Sequence, residues 1–278
     1  MKLTVLFLLM TAGNALSQSL PDALNQYLQR LPDTVRVSLA VESLSDSTVA
    51  FQYRADDRTP SASVIKLPVL VEAMEAVGDG RINPDEIYIL LESDKVGGSG
   101  VLQTYPHRSR IAYRDLISLM MTHSDNTATN VLIRELGMKA VNERLRKLGA
   151  TQSQLNRMMM DTAAVRRGIE NYVTAQEMNT LLKKIYRYEV ADKASCDQML
   201  DILKRNEDTL TIPRLLPKPV AVAHKTGTLA YVRGDVGIVY ARTPFILSVF
   251  VQGAPAQQAE RIIGELARIC YAYFENNR

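Results

Sequence analysis

Ser63 and Lys66 stand three residues apart where an apolar run begins, in the stretch Pro60-Ser61-Ala62-Ser63-Val64-Ile65-Lys66. On a helix, residues three apart lie on the same face, so this hydroxyl and this amine can reach hydrogen-bonding distance. A serine becomes a nucleophile once a base takes its proton, and a lysine can be that base if burial or a nearby cation lowers its pKa. The pair therefore predicts nucleophilic catalysis; the alternative is a helix cap beside a solvated lysine.

A helix that begins at Ser63 adds a second chemical resource. The backbone N–H groups of a first helical turn have no intrahelical partner and carry the positive end of the helix dipole. They can stabilise an oxyanion that forms at Ser63. Apolar spacing predicts that this helix ends at Gly78-Asp79-Gly80 and bends near Pro68, whose ring removes one backbone hydrogen bond.

Alternating apolar and polar residues indicate the sheet that delivers the chain to Ser63. After a first helix at 21–31, alternation through 35–41 and 49–53 predicts a β-hairpin with one buried face. Further strands are predicted near the C-terminus, at 220–229, 236–241 and 246–252. A last amphipathic helix follows. The first and last segments are therefore expected to form one antiparallel five-stranded sheet with flanking helices.

The middle of the chain has an almost wholly helical pattern up to about residue 209. Candidate helices lie at 113–123, 126–136, 139–148 and 174–188, and 97–110 is predicted to be an exposed loop. The fold class is therefore mixed α/β, with a sheet lobe at 18–62 and 210–278 and an all-helical lobe at 63–209. A catalytic cleft between the two lobes is the natural place for a site assembled from distant residues.

Two further short motifs fall on elements that border this cleft. Ser124-Asp125-Asn126 lies in the turn between two middle helices, and Lys225-Thr226-Gly227 lies on the strand that follows the helical lobe. Either tripeptide alone is a common accident of turns and strand ends. All three motifs in this order, each on the expected element, are hard to obtain by chance.

The three motifs together resemble those of the penicillin-recognising serine hydrolases, and most closely those of the class A β-lactamases. The resemblance covers essentially the whole mature chain. It implies a β-lactamase/transpeptidase-like fold and an enzyme that hydrolyses the amide of a small β-lactam, or a cell-wall peptide, without a cofactor.

The resemblance also implies roles for the motif residues. Ser63 is expected to attack the carbonyl, Lys66 to serve as base or help position one, and Ser124 to pass a proton to the departing nitrogen. The backbone N–H groups of Ser63 and Thr228 are expected to hold the oxyanion. Asp125 is taken as structural. The expected substrate-binding residues are Asn126, Lys225, Thr226 and Gly227, with Lys225 also lowering the pKa of Lys66.

One part of the family pattern is missing. Class A enzymes carry a glutamate in a loop after the middle helices, which activates the water that hydrolyses the acyl-enzyme. Met159 aligns with that glutamate here, and the nearest carboxylates are Asp161 and Glu170. Either carboxylate could be the base, although a salt bridge with a loop arginine is the commoner fate. The family's arginine beyond the third motif is also displaced, because Asp235 falls near its position, and Arg233 is the candidate substitute.

Three hypotheses follow for the reaction after acylation. The first is a β-lactamase that deacylates with Asp161, Glu170 or another arrangement. The second is a D-alanyl-D-alanine carboxypeptidase or another hydrolase of cell-wall peptides or esters. The third is a penicillin-binding protein that stays acylated as a sensor or sink.

Composition excludes several other classes. The 278 residues are 46% hydrophobic and 23% charged, as in soluble globular proteins, and the net charge of +3 is spread without a basic run, which disfavours nucleic-acid binding. The three histidines have no metal-ligand spacing, so no metal site is predicted. Cys196 and Cys270 are predicted to be buried thiols.

The N-terminus predicts export. Residues 1–17 have one basic residue, an apolar core and small residues at the end, which is typical of a cleaved secretory signal and too short to span a bilayer. The mature chain, 18–278, is expected to be a monomer without a membrane span, secreted to the periplasm or the outside.

Overall fold

The computed structural model describes residues 19–46 and 48–276, so the predicted signal at 1–17 lies outside the described residues. The α-helices are α1 Leu20–Leu28, α2 Lys66–Gly78, α3 Tyr113–Thr122, α4 Asn126–Leu136, α5 Met138–Lys147, α6 Thr162–Arg166, α7 Ala175–Tyr186, α8 Lys193–Lys204 and α9 Ala256–Asn276. The strands are β1 Arg36–Ser43, β2 Val49–Tyr53, β3 Thr59–Pro60, β4 Ile87–Leu90, β5 Ser109–Ala112, β6 Tyr172–Val173, β7 Val222–Leu229, β8 Val232–Val239 and β9 Phe245–Gln252. Among these described helices, none is both long and apolar enough to cross a membrane.

The central sheet has five strands in the order β2-β1-β9-β8-β7, and every neighbouring pair is antiparallel. This confirms the predicted mixed α/β class and the antiparallel five-stranded sheet. Strand β7 is an edge strand of this sheet. It therefore has one side free to approach the helical part of the chain, and the third motif lies on this strand.

The prediction that the β1–β2 hairpin buries one face is wrong for β1, whose residues are buried on both faces. Val37, Leu39 and Val41 lie in a core with α1 and α9. Ser38 and Glu42 point to the opposite side, where α7 covers the sheet and Lys183 donates a 2.6 Å hydrogen bond to Glu42 Oε1. Helices on both sides of the sheet therefore bury even its polar residues.

Two hydrophobic cores result. One lies between the outer face of the sheet and α1 and α9. The other is continuous from the inner face of the sheet through the middle helices, and α2 lies at its centre with ten of its thirteen residues buried. Because α2 is packed on nearly all sides, the turn at its N-terminus is held firmly. That turn carries Ser63.

The middle helices are close to those predicted, with four differences. The short helix α6, Thr162–Arg166, was not predicted. Helix α8 was not among the candidates; Asp192 caps its start by accepting a 2.7 Å hydrogen bond from the Ser195 N–H. The short pairs β4–β5 and β3–β6 also went unpredicted. The chain from Ser63 begins as a 3₁₀ turn, Ala62–Ile65, and becomes α-helical at Lys66. Pro68 therefore lies in the first α-helical turn, where a missing N–H is tolerated.

Candidate active site

Ser63 lies in the 3₁₀ turn Ala62–Ile65, and strand β7 is pressed against it. A Cβ atom at Gly227 would stand 2.9 Å from Ser61 O and 3.1 Å from Ser63 N, so only glycine allows this approach. The space that Gly227 leaves is thus occupied by the backbone of Ser63. Ala62 has a φ of 47°, a conformation that costs a non-glycine residue roughly 1–2 kcal/mol. Ser63 is therefore held in a strained, closely packed turn.

The Lys66 amine lies at the centre of the site and is fully buried. Its Nζ donates to Ser124 O at 2.7 Å and to Asn126 Oδ1 at 2.8 Å. It also lies 3.0 Å from Ser63 Oγ and 3.1 Å from Ser124 Oγ. The predicted contact between Ser63 and Lys66 is therefore present, and the second motif joins it.

The surroundings of Lys66 favour its neutral form. Burial first, and then the positive charge of Lys225, hold the pKa of Lys66 well below that of a solvated lysine, against the opposing effect of Asp125. A neutral amine has two N–H bonds and one lone pair. The two shortest contacts go to oxygens that can only accept, which leaves the lone pair for the hydroxyls of Ser63 and Ser124. This arrangement suits a base.

Ser124 occupies the turn between α3 and α4 with a φ of 52°. Its hydroxyl lies 3.1 Å from both Lys66 Nζ and Lys225 Nζ, so it bridges the two amines. Asp125 fixes this turn: its carboxylate caps α4 and accepts hydrogen bonds of 2.7 and 2.8 Å from the N–H groups of Val101 and Leu102. The structural role predicted for Asp125 is confirmed.

Lys225 is fully buried on β7. Its amine donates to Ser124 Oγ at 3.1 Å and to Thr226 O at 2.8 Å. Burial lowers the pKa of Lys225 to about 8, although the charges of Asp235 and Asp208 raise it. The second lysine is therefore a cation below about pH 8, and it is the predicted cationic neighbour of Lys66.

Two cavities meet at Ser63. The larger has a volume of about 600 Å³ and is also lined by Ser124, Thr226, Glu207 and Asp208. The smaller, of about 290 Å³, is also lined by Asn126, Met159, Asp161 and Val165. Ser63, Ser99 and Thr228 line both cavities. A substrate carbonyl above Ser63 would thus have room on both sides.

The loop at 97–101 closes over the second motif and is mostly exposed, as predicted for this stretch. Asn126 Nδ2 donates a 3.0 Å hydrogen bond to Gly97 O, while its Oδ1 accepts from Lys66. The amide of Asn126 is therefore oriented from both ends. Its place in the smaller cavity suits a contact with the acyl side of a substrate.

Met159 lines the smaller cavity at the position where a deacylating glutamate was expected, and its side chain is buried. Asn130 holds its backbone from both sides: Nδ2 donates to Met159 O at 3.0 Å, and Oδ1 accepts from Met159 N at 2.8 Å. The clamp fixes the loop in place, but the thioether it presents is not a base. The clamp was not foreseen from the sequence.

The two candidate carboxylates of this loop differ in their surroundings. Glu170 is buried and forms an ion pair with Arg157, at 2.8 Å from Nε and 2.7 Å from Nη2, and it also accepts from the Asn171 N–H. It does not line the smaller cavity. Asp161 does, and its Oδ1 caps α6 by accepting a 2.8 Å bond from the Ala164 N–H. Of the pair, only Asp161 borders the space beside Ser63.

Asp235 and Arg233 sit side by side along β8 beneath the third motif. Asp235 is fully buried, contacts His224 Nδ1 at 3.0 Å and accepts a 2.6 Å bond from the Thr211 hydroxyl. Arg233 donates to Thr228 Oγ1 at 2.7 Å and to Asp208 Oδ2 at 2.7 Å. Arg233 therefore reaches the Thr228 end of the site. Asp208 was missed, because nothing in the 206–209 stretch marks it.

The described residues contain no group of three or more histidine, cysteine, aspartate or glutamate side chains placed to hold a metal ion. Cys196 and Cys270 are free and buried, which confirms the predicted thiols.

A family model described as the Beta-lactamase enzyme family matches residues 16–274 of the chain. Among individual proteins, the chain is 23% identical to beta-lactamase VEB-1 of Pseudomonas aeruginosa over 98% of its own length and 95% of that protein.

Solved structures give the same result. A beta-lactamase from Sphaerobacter thermophilus is 29% identical with a TM-score of 0.80, covering 85% of this chain and 90% of that one. PBP-A is also 29% identical, with a TM-score of 0.84 and coverage of 93% and 96%. A mutant of PBP-A, equally similar at 29% identity, is described as an acyl-enzyme complex with penicillin G.

Proposed function

The chain belongs to the Beta-lactamase enzyme family, as a class A-like serine hydrolase, and from that premise we propose that it opens β-lactam rings through an acyl-enzyme at Ser63. The observation that carries this proposal is the buried Lys66 amine, which lies 3.0 Å from Ser63 Oγ. The comparisons favour this function over a cell-wall carboxypeptidase or a protein that only remains acylated.

Acylation begins with a proton transfer within the first motif. The lone pair of neutral Lys66 accepts the Ser63 proton as Ser63 Oγ bonds to the lactam carbonyl carbon. The carbonyl oxygen becomes an oxyanion, which the backbone N–H groups of Ser63 and Thr228 stabilise. Those groups belong to the two elements that Gly227 allows to approach closely. The oxyanion site is thus built by the packing of β7 on the Ser63 turn.

Ring opening needs a proton on the departing nitrogen. The Ser124 hydroxyl supplies it and is reprotonated by Lys66, from which its Oγ lies 3.1 Å. Protonated Lys225 and the Thr226 hydroxyl bind the carboxylate of the substrate in the larger cavity, while Asn126 binds its acylamino group in the smaller one. Substrate is therefore held on both sides of the bond that breaks.

Deacylation is the slower step in this account. A positioned general base for water accelerates hydrolysis roughly 10²–10⁴-fold, and Met159 does not provide one. Asp161, which borders the smaller cavity, is the carboxylate that serves the residual reaction. Glu170 does not serve as the base, because Arg157 holds its carboxylate in an ion pair. An acylated form should therefore accumulate during turnover.

We also propose the cellular setting and the assembly predicted from the sequence. Cleavage near Ser17 releases a mature chain that acts as a monomer in the periplasm or outside the cell, where β-lactams and cell-wall peptides are met.

Fluorescent penicillin labelling tests the proposed nucleophile. The wild-type chain should gain a covalent label that Ser63→Ala lacks. Removal of one hydroxyl from the turn should change the free energy of unfolding by only about 1 kcal/mol. Undiminished labelling of a folded Ser63→Ala variant would remove Ser63 from the mechanism.

A further inference from the structure

Asp208 projects its carboxylate into the larger cavity, on the side of Ser63 where Thr226 and Thr228 lie. Burial raises the pKa of Asp208, but Arg233, the Leu210 N–H and the Thr226 hydroxyl together lower it below that of a free aspartate. The group is therefore an anion at neutral pH. Its side chain remains 30% exposed, so the charge faces the cavity.

The positive charge of Arg233, which lies beside Asp208, is already balanced by protein carboxylates. Arg233 is 4% exposed and forms ion pairs with Asp208 at 2.7 Å and with Glu260 at 3.3 Å. Its remaining nitrogen donates to Thr228 Oγ1 at 2.7 Å. Two carboxylates already neutralise this guanidinium, and one of them lies inside the cavity.

The other charges at this end of the cavity are of both signs. Lys225 supplies one cation below about pH 8. Asp235 is an additional buried carboxylate against His224, and Glu207 lines the same cavity while pairing with His123 at 3.1 Å. The hydrogen-bonding groups suit a substrate carboxylate, but the surrounding charge does not favour a further anion.

We propose that Asp208 is a specificity-determining residue: it opposes the attraction of Lys225 for a substrate carboxylate at the Thr226–Thr228 end, and it thereby lets the site accept an uncharged or positively charged group there. Asp208 takes the hydrogen bond of Arg233 Nη2 that a bound carboxylate would otherwise receive. A second carboxylate a few ångströms away is also repelled. This inference rests on the proposed acylation of Ser63 and adds the charge preference of the same site.

The test compares three probes that share one ring and one side chain: benzylpenicillin, which is an anion, its uncharged methyl ester, and its cationic diethylaminoethyl ester. The second-order rate constant for Ser63 acylation is measured by intact-protein mass spectrometry in the wild type and in Asp208→Asn. Asp201→Asn is the matched control, because the Asp201 side chain is 71% exposed on α8 and forms an ion pair with Lys204 at 3.5 Å.

We expect Asp208→Asn to raise the rate constant for acylation by benzylpenicillin about tenfold. The rate constant for the methyl ester should stay within about twofold, and that for the cationic ester should fall. Asp201→Asn should change none of the three. Equal changes for all probes, as the loss of Arg233 positioning would produce, would overturn the charge preference, and so would slower acylation by benzylpenicillin. Absence of acylation by every probe in the wild type would instead overturn the proposed function.

A second measurement needs no variant at Asp208. In the wild type, added salt should screen the charge of Asp208. Acylation by benzylpenicillin should therefore become faster relative to acylation by the methyl ester, and acylation by the cationic ester should become slower relative to it. The inference would be overturned if both rate ratios changed with salt in the opposite direction, or if neither ratio changed. This outcome can be read even if Asp208→Asn does not fold.

Discussion

The two sides of Ser63 differ in the reactive groups that they present. On one side lie the buried amines of Lys66 and Lys225 with the Ser124 hydroxyl between them, each within about 3 Å of a partner. On the other side, the loop that lines the smaller cavity presents Met159, and Glu170, a buried carboxylate of this loop, is bound to Arg157. Under the proposed function, the first region forms the acyl-enzyme, and the second region has little with which to hydrolyse it.

This contrast indicates that the two half-reactions are built by separate parts of the fold. The acylating groups sit on α2, on the α3–α4 turn and on β7, which are held by the core and by strained turns at Ala62 and Ser124. The deacylating side is a loop held by the Asn130 clamp on Met159. Substitutions on one side should therefore change one half-reaction and spare the other.

The largest effect is expected on the acylating side, from Lys66→Met. Removal of the base should lower the acylation rate by roughly a thousandfold or more, because a positioned base contributes 10²–10⁴-fold and Lys66 also serves Ser124. The measurement is the labelling rate with a fluorescent penicillin. Methionine keeps most of the buried volume, so the variant should remain folded by circular dichroism; labelling at the wild-type rate would exclude Lys66 as the base.

The next effect is expected on the deacylating side, from Met159→Glu. A carboxylate in the smaller cavity beside Ser63 should speed hydrolysis of the acyl-enzyme by about a hundredfold and leave its formation nearly unchanged. Single-turnover kinetics separate the two steps. Val165→Glu is the control, since Val165 lines the same cavity but is 44% exposed. An equal gain in both variants would show that any added charge suffices and that the position of Met159 is not special.

A smaller effect should separate the two native carboxylates of this loop. Asp161→Asn keeps the cap of α6 but loses the base, so residual deacylation should fall about tenfold. Glu170→Gln should leave deacylation unchanged and lower stability by about 3 kcal/mol, because it breaks a buried pair with Arg157. Deacylation rates measure the first effect, and thermal melting measures the loss of stability in Glu170→Gln. The reverse pattern would assign the reaction to Glu170.

The smallest effect concerns pH. Lys225, with a pKa lowered to about 8 by burial, loses its charge above that pH, so acylation by benzylpenicillin should fall severalfold between pH 8 and 10 while its methyl ester is less affected. The unfolded chain has the higher lysine pKa and binds more protons in this range. The contribution of Lys225 to the free energy of unfolding therefore rises with pH from about 8 to 10.5. Equal pH profiles of acylation for benzylpenicillin and its methyl ester would show that the charge of Lys225 does not contribute to carboxylate binding.

The sequence predicted the site better than its surroundings. The three motifs located Ser63, Lys66, Ser124 and Lys225 because their spacing and order carry the chemistry. Alternation could not show that β1 is buried on both faces, since burial of Ser38 depends on α7, more than a hundred residues away. A salt bridge of Glu170 with a loop arginine was expected, because both residues belong to the same loop. That Asp208 would meet Arg233 could not be predicted, since it depends on how separate segments pack.

The most direct test of the central claim is an intact-protein mass spectrum of the wild-type chain during and after exposure to benzylpenicillin. The account predicts rapid gain of the mass of one penicillin on Ser63, accumulation of that species while substrate remains, and slow return to the free mass once substrate is removed. Fast hydrolysis of benzylpenicillin with no detectable adduct, unchanged in Asp161→Asn, would contradict it.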